Sequence, residues 1–188
     1  MPSSEQKELF MEKRKSILSY AFSGGIILLG IDFLTKYIAN LLLPFEKTVS
    51  TIFSFLVFYR TYNTGYHFLF GPIKNHFIWA LTGLIFVTFL IFSLSKSILK
   101  ENLDRGNRII YSVILALTIG AMGNVLEILF RGHATDFFIF RPFPWPSNIC
   151  DQYINGIIYI VLPIIIIKSI IDHRREKTRP SRDRDSSE

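Results

Sequence analysis

Asp136 follows one long apolar run of this chain by a few residues, and Asp151 stands just before the next. Two carboxylates held together at a low-dielectric boundary cannot both ionise cheaply, so one is pushed toward its neutral form and the pair shares a proton. Such a pair can hydrolyse a peptide bond. The ionised member takes a proton from water, and the protonated member polarises the carbonyl and later feeds the leaving amine. Two independent, solvated aspartates would have the same spacing, and spacing alone leaves both readings open. Asp32 and Lys36, four apart, share one helix face. They fit an intrahelical ion pair with the lysine reaching for the interface, and equally a brace for a site. Glu127 and Arg131 repeat that spacing with the same two readings. Asn124 and Asn148 each offer an amide donor to a carboxylate, or serve helix packing and capping. Other chemistries lack their parts. His133, Asp136, Cys150 and Asp151 make a thin ligand set without an HExxH motif, and no GxSxG elbow is present, so no metal or cofactor is expected. His67 and His76 read as loop residues.

Four nearly apolar runs must position these groups: Ile17 to Leu43, Phe77 to Leu94, Ile109 to Phe130 and Tyr153 to Ile171. Each is near the ~20 residues with which a helix crosses ~30 Å of hydrocarbon. The net charge of +6 does not signal nucleic acid, because its placement follows the membrane. Lys and Arg crowd before the first run, between the second and third, and after the fourth, while the other two loops carry few. The positive-inside rule then puts both termini in the cytoplasm and the first and third loops outside. Residues 1–172 read as one helical membrane domain and 173–188 as a basic, disordered cytoplasmic tail near anionic headgroups. Cys150 is the only cysteine, so an intramolecular disulfide is impossible.

The first helix is expected to end at Leu43, because Pro44 cannot continue the ladder. In the first outer loop, Thr51 to Tyr62 is rich in strand-forming residues and Asn63-Thr64-Gly65 reads as a turn, which predicts a small sheet or hairpin on the outer surface. Gly120, Ala121 and Gly123 permit close helix approach in the third helix. The third loop, Arg131 to Gln152, is stiffened by Pro142, Pro144 and Pro146 and suits the interfacial aromatic belt. The fold class is therefore an all-α membrane protein with four transmembrane helices and a small extracytoplasmic β platform in the first outer loop. Asp32 lies fifteen residues past Ile17 and Asn124 fifteen past Ile109, so both sit roughly 22 Å along outward-running helices. Asn63, Glu127, Asp136 and Asp151 converge on the same outer level.

In this order the residues resemble the lipoprotein signal peptidases (signal peptidase II), from the first helix to the fourth. The D-x-x-[ST]-K pattern of that family looks like Asp32, Thr35 and Lys36, and its N-T-G-x-x-F turn looks like Asn63, Thr64, Gly65 and Phe68. Its G-N motif is similar to Gly123 and Asn124, its Asp-Phe to Asp136 and Phe137, and its N-x-x-D to Asn148 and Asp151. The resemblance implies a metal-free aspartic peptidase of the bacterial inner membrane, with its active site at the outer leaflet. It would remove the signal peptide from diacylglyceryl-modified prolipoproteins before the lipidated cysteine. The catalytic pair falls on Asp136 and Asp151, with Asp32, Lys36, Asn63, Gly65, Asn124, Glu127, Arg131 and Asn148 supporting or binding substrate. The implied partners are lipidated prolipoproteins and membrane lipids, not nucleic acid. Glu127 and Ile128 depart from the family's Asp-Arg pair, Tyr66 and His67 replace two alanines, and Gln152 replaces a serine. The family Arg positions substrate, and Arg131, one turn on, is the candidate substitute. The alternative reading is a catalytically weak paralogue that binds lipoproteins or lipids.

Overall fold

The computed structural model describes residues 3–64, 75–141, 143 and 145–178. The first helix, α1 (Ser4–Leu42), starts well before its apolar run. Ser3 and Gln6 close a capping box at its start, and Lys15 pairs with Glu12 at 3.1 Å, so the charged leader is helical. Its 39 residues extend roughly 58 Å, more than the ~40–45 Å of a bilayer with its headgroups, so α1 projects beyond the membrane at one end. It stops as expected before Pro44, with the Leu43 N–H closing on Ala39 O.

Helices α2 (His76–Leu99) and α3 (Arg105–Arg131) follow, and a last helix is built from α4 (Ile149–Gly156), a π-helical turn over Ile157–Val161 and α5 (Leu162–Thr178). Four helices are thus long and apolar enough to cross a membrane. The helix of the fourth span continues to Thr178, past the 172/173 boundary read from sequence, and residues 179–188 lie outside the described residues.

Helix α3 packs against both α1 and α2. Its seam with α1 is tight because Gly25 faces Ile119, and Gly120 faces Leu28 and Tyr153, where a β-carbon would clash. Ala21, Leu115 and Ile119, with Ile98 of α2, form a buried core where the three helices meet. Large apolar side chains such as Ile27, Phe86, Phe89 and Ile167 point outward, as a lipid-facing surface requires.

The β platform exists but is larger in origin than the sequence reading gave it. Strands β1 (Thr48–Ser50) and β2 (Leu56–Asn63) come from the first outer loop, whereas β3 (Ala134–Phe140) comes from the third. They form one antiparallel sheet in the order β1-β2-β3, with Thr61 opposite Asp136 and Asn63 opposite Ala134. The segment Ala-Thr-Asp-Phe-Phe-Ile-Phe is itself a run of strand formers, which the neighbouring prolines masked in the sequence. Residues 51–55 are a turn rather than the start of β2, because the Thr51 hydroxyl donates to Phe53 O and Leu56 O. Gly132, at φ 79°, takes the left-handed conformation that ends α3 and sends the chain straight into β3.

Candidate active site

Asp151 does not precede the last helix but stands in its first turn. Asn148 is the N-cap: the Asp151 N–H donates to Asn148 Oδ1 (3.3 Å), and the Asn148 N–H donates back to Asp151 Oδ2 (3.0 Å). The same Asn148 donates through Nδ2 to Asp136 Oδ1 at 2.5 Å. One fully buried asparagine therefore ties the strand-borne carboxylate to the helix-borne one. Asp136 also receives the Asn63 amide at 3.1 Å, across the sheet from the end of β2. Asp151 receives the Asn124 amide of α3 (2.9 Å) and the Ser147 hydroxyl (3.2 Å).

Lys36 lies beneath this pair and does not snorkel. Its side chain is 2% exposed and its ammonium meets Asp32 (2.8 Å), Glu127 (3.1 Å) and the Asn124 carbonyl oxygen (2.6 Å). An unpaired buried charge would be expensive, and the two carboxylates supply the buried Lys36 ammonium with counter-charge. Because it grips the oxygen of Asn124, it also turns the Asn124 amide toward Asp151. Asp32 receives the Cys150 N–H at 3.0 Å, fixing the start of α4 against α1. Gly123 is required where these parts cross, since a β-carbon there would strike Asp32 Oδ2 and Cys150 Sγ.

Glu127 has a defined task. It accepts from the Thr135 backbone (3.0 Å) and the Thr135 hydroxyl (2.7 Å), so it holds β3 at the residue before Asp136. Arg131 reaches Glu127 at 3.5 Å from the rim, with 58% of its side chain exposed. Ile128, where the resembled pattern has Arg, is buried with Ala80, Leu129 and Ala134 in an apolar cluster.

Burial, and then the Asp151 charge, push the Asp136 carboxyl up to about 7, against the pull of its two amide donors. Thus Asp32, Lys36, Asn63, Asn124, Glu127, Asp136, Asn148 and Asp151 form one connected network, with Arg131 at its edge. Gly65 lies outside the described residues, as do Tyr66, His67 and Phe68. His133 stacks on Tyr62 at 3.9 Å and the Cys150 thiol donates to Gly120 O. Among the described residues no three His, Cys, Asp or Glu side chains are arranged to hold a metal.

Sequence reasoning missed Thr135 and Ser147, whose roles depend on the strand and cap geometry. Gln152, read there only as standing in place of a family serine, donates to Ser147 Oγ at 2.8 Å. The fourth-residue spacing of Ser147 before Asp151, beside a capping Asn148, was the available signal.

The family model described as Signal peptidase (SPase) II matches residues 25–167. A lipoprotein signal peptidase of Xanthomonas campestris pv. campestris is 32% identical over 136 residues, covering 69% of this chain and 78% of its own length. One from Francisella tularensis subsp. novicida is 29% identical over 154 residues, covering 77% and 90%. A solved structure described as a bacterial membrane enzyme superposes with a TM-score of 0.62 at 19% identity, over 86% of this chain and 93% of its own, and shows the same fold. The chain belongs to the signal peptidase II family. It is a bacterial membrane protease with four membrane-spanning helices.

Proposed function

We propose that the chain cleaves the signal peptide from lipid-modified prolipoproteins as an aspartic peptidase, with Asp136 and Asp151 as its catalytic pair. The observation that carries the proposal is the link through Asn148, whose side chain bonds Asp136 and whose backbone bonds Asp151. Asp151 is the base. It accepts three hydrogen bonds, from Asn124, Ser147 and Asn148, which fix the orientation of its carboxylate. Asp136, raised by burial and by its neighbour's charge, is the acid. Asp151 takes a proton from a water whose oxygen bonds to the scissile carbonyl carbon, while Asp136 gives its proton to the carbonyl oxygen. Collapse of that intermediate breaks the C–N bond as the proton that Asp151 took from water, and not the one first held by the acid as the sequence chemistry had it, passes to the leaving nitrogen. One diol hydroxyl returns its proton to Asp136 and restores the pair.

The lipid of the substrate has a matching surface. A groove of about 260 Å³, lined by Thr35, Ile38, Ala39, Leu42, Leu43, Phe58 and Phe137, lies one residue from Asp136 and one turn from Lys36. An acyl chain of the substrate is proposed to lie there. The exposure of Arg131 at the rim supports it as the donor to substrate carbonyls in the role of the missing family arginine. In this reading the site faces the outer leaflet of the inner membrane and both termini face the cytoplasm.

The test is cleavage of a lipidated prolipoprotein by the purified protein. Asp136→Asn and Asp151→Asn are each expected to abolish it while leaving the protein folded, and the double variant to lose no more than either. EDTA is expected to have no effect. Activity that survives either substitution, or that a chelator removes, rules out the aspartic mechanism.

A further inference from the structure

Far from the carboxylates, α1 and the start of α3 enclose a second cavity of about 600 Å³, lined by Phe10, Lys13, Ser16, Ile17, Arg105 and Arg108. Lys13 lies nineteen residues before Asp32 on the same helix, hence roughly 28 Å away. Three acidic side chains near this end are engaged elsewhere. Glu12 pairs with Lys15 (3.1 Å), Glu101 faces Arg14 (3.8 Å), and Asp104 is held by Lys168 (3.2 Å). Arg108 is anchored by Nη2 to the carbonyls of Lys100 (2.9 Å) and Leu103 (3.0 Å), which fixes its guanidinium across the α2–α3 turn. Three cations thus line a cavity that contains no carboxylate, and none of them has a counter-ion among the described residues.

The remaining lining and the depth indicate the ligand. Phe10 and Ile17 add apolar surface, which a small hydrated anion would not use. Counting back from the end of α1 at Leu42, Ile17 is twenty-five residues away, or roughly 38 Å. That falls within the ~40–45 Å thickness of a bilayer that includes its headgroups, and outside the ~30 Å of its hydrocarbon. With Leu42 set at the opposite face of the bilayer, the cavity is level with lipid phosphates. We infer that it binds the headgroup of an anionic glycerophospholipid, with the phosphate among Lys13, Arg105 and Arg108 and the acyl chains descending past Ile17. Clustered cations at the headgroup level between membrane helices are suited to such a ligand. This site is independent of the peptidase reading, because no residue is shared.

The experiment uses the full chain in nanodiscs of phosphatidylcholine alone or with phosphatidylglycerol, read by the thermal unfolding midpoint. Phosphatidylglycerol is expected to raise the midpoint of the wild type. Lys13→Gln combined with Arg105→Gln is expected to abolish that shift, and both positions are exposed, so the fold should tolerate the change. Lys7→Gln combined with Lys177→Gln removes the same charge outside the cavity and is expected to keep the shift. Equal loss in both double variants would mean diffuse surface charge and overturn the site. So would an unshifted wild type, or a shift that survives in the Lys13/Arg105 variant. Inorganic phosphate that reproduces the shift in phosphatidylcholine discs would overturn the lipid assignment in favour of a soluble anion.

Discussion

Asn148 is fully buried and has every polar atom of its side chain committed: Oδ1 caps the last helix and Nδ2 holds Asp136. Asn148→Ser retains an oxygen for the cap and loses the amide donor. A hydrogen bond to a charged group is worth about 1.5–3 kcal/mol net, so a bond acting in the transition state predicts roughly 10- to 150-fold slower cleavage. The measurement is kcat on a lipidated substrate, with near-normal thermal stability as the control. A second prediction concerns pH. Asp136 sits near 7 in the folded protein against an ordinary 3.8, so across that window the native state binds more protons than the unfolded chain. Unfolding free energy therefore falls as pH rises from about 4 to about 7, and Asp136→Asn is expected to flatten that slope. If Asp136 is the acid, cleavage also declines as pH rises through about 7. A rate still climbing above pH 8 would contradict the assignment of the acid.

At the scale of elements, the four spans were legible because apolar length is a coarse and redundant signal, and α1 ended where Pro44 required. The leader's helicity was less visible, since it depends on the Ser3 cap and on continuity with the span behind it. Strand β3 was hidden because its pairing partner is more than seventy residues away, and long-range pairing leaves no local period. The site followed the same pattern. Residue types and order marked Asp32, Lys36, Asn124, Asn148 and both aspartates, but only the fold reveals that Glu127 serves Thr135 and that Ile128 is buried against Ala80. Gly123 belongs to this scale because it sets the distance between α1, α3 and α4. Gly123→Ala forces a methyl group into Asp32 Oδ2 and Cys150 Sγ, and such overpacking typically costs about 1–3 kcal/mol. A lowered unfolding midpoint with reduced cleavage is expected. An unchanged midpoint would mean that the helices separate freely there.

For the whole molecule, the proposed orientation rests on the Lys and Arg asymmetry and has a direct check. In a Cys150→Ser background, Asn102→Cys in the α2–α3 turn is expected to resist an impermeant thiol reagent added to spheroplasts, and Lys47→Cys before β1 to react. Both positions are exposed, so accessibility reports sidedness and not burial. Reaction at Asn102→Cys from outside would invert the molecule and move the carboxylates to the other face. The network around those carboxylates also bears on how the protein matures. Its members come from α1, β2, α3, β3 and α4, and Lys36 contacts Asn124 across eighty-eight positions of sequence. A chain still leaving the ribosome, or one truncated before the fourth span, lacks Asn148 and Asp151 altogether and leaves Asp136 without its bridge. If the pair is catalytic as proposed, hydrolytic competence is thereby withheld until insertion of the last helix is complete, and the timing of activity is written into the order of the chain.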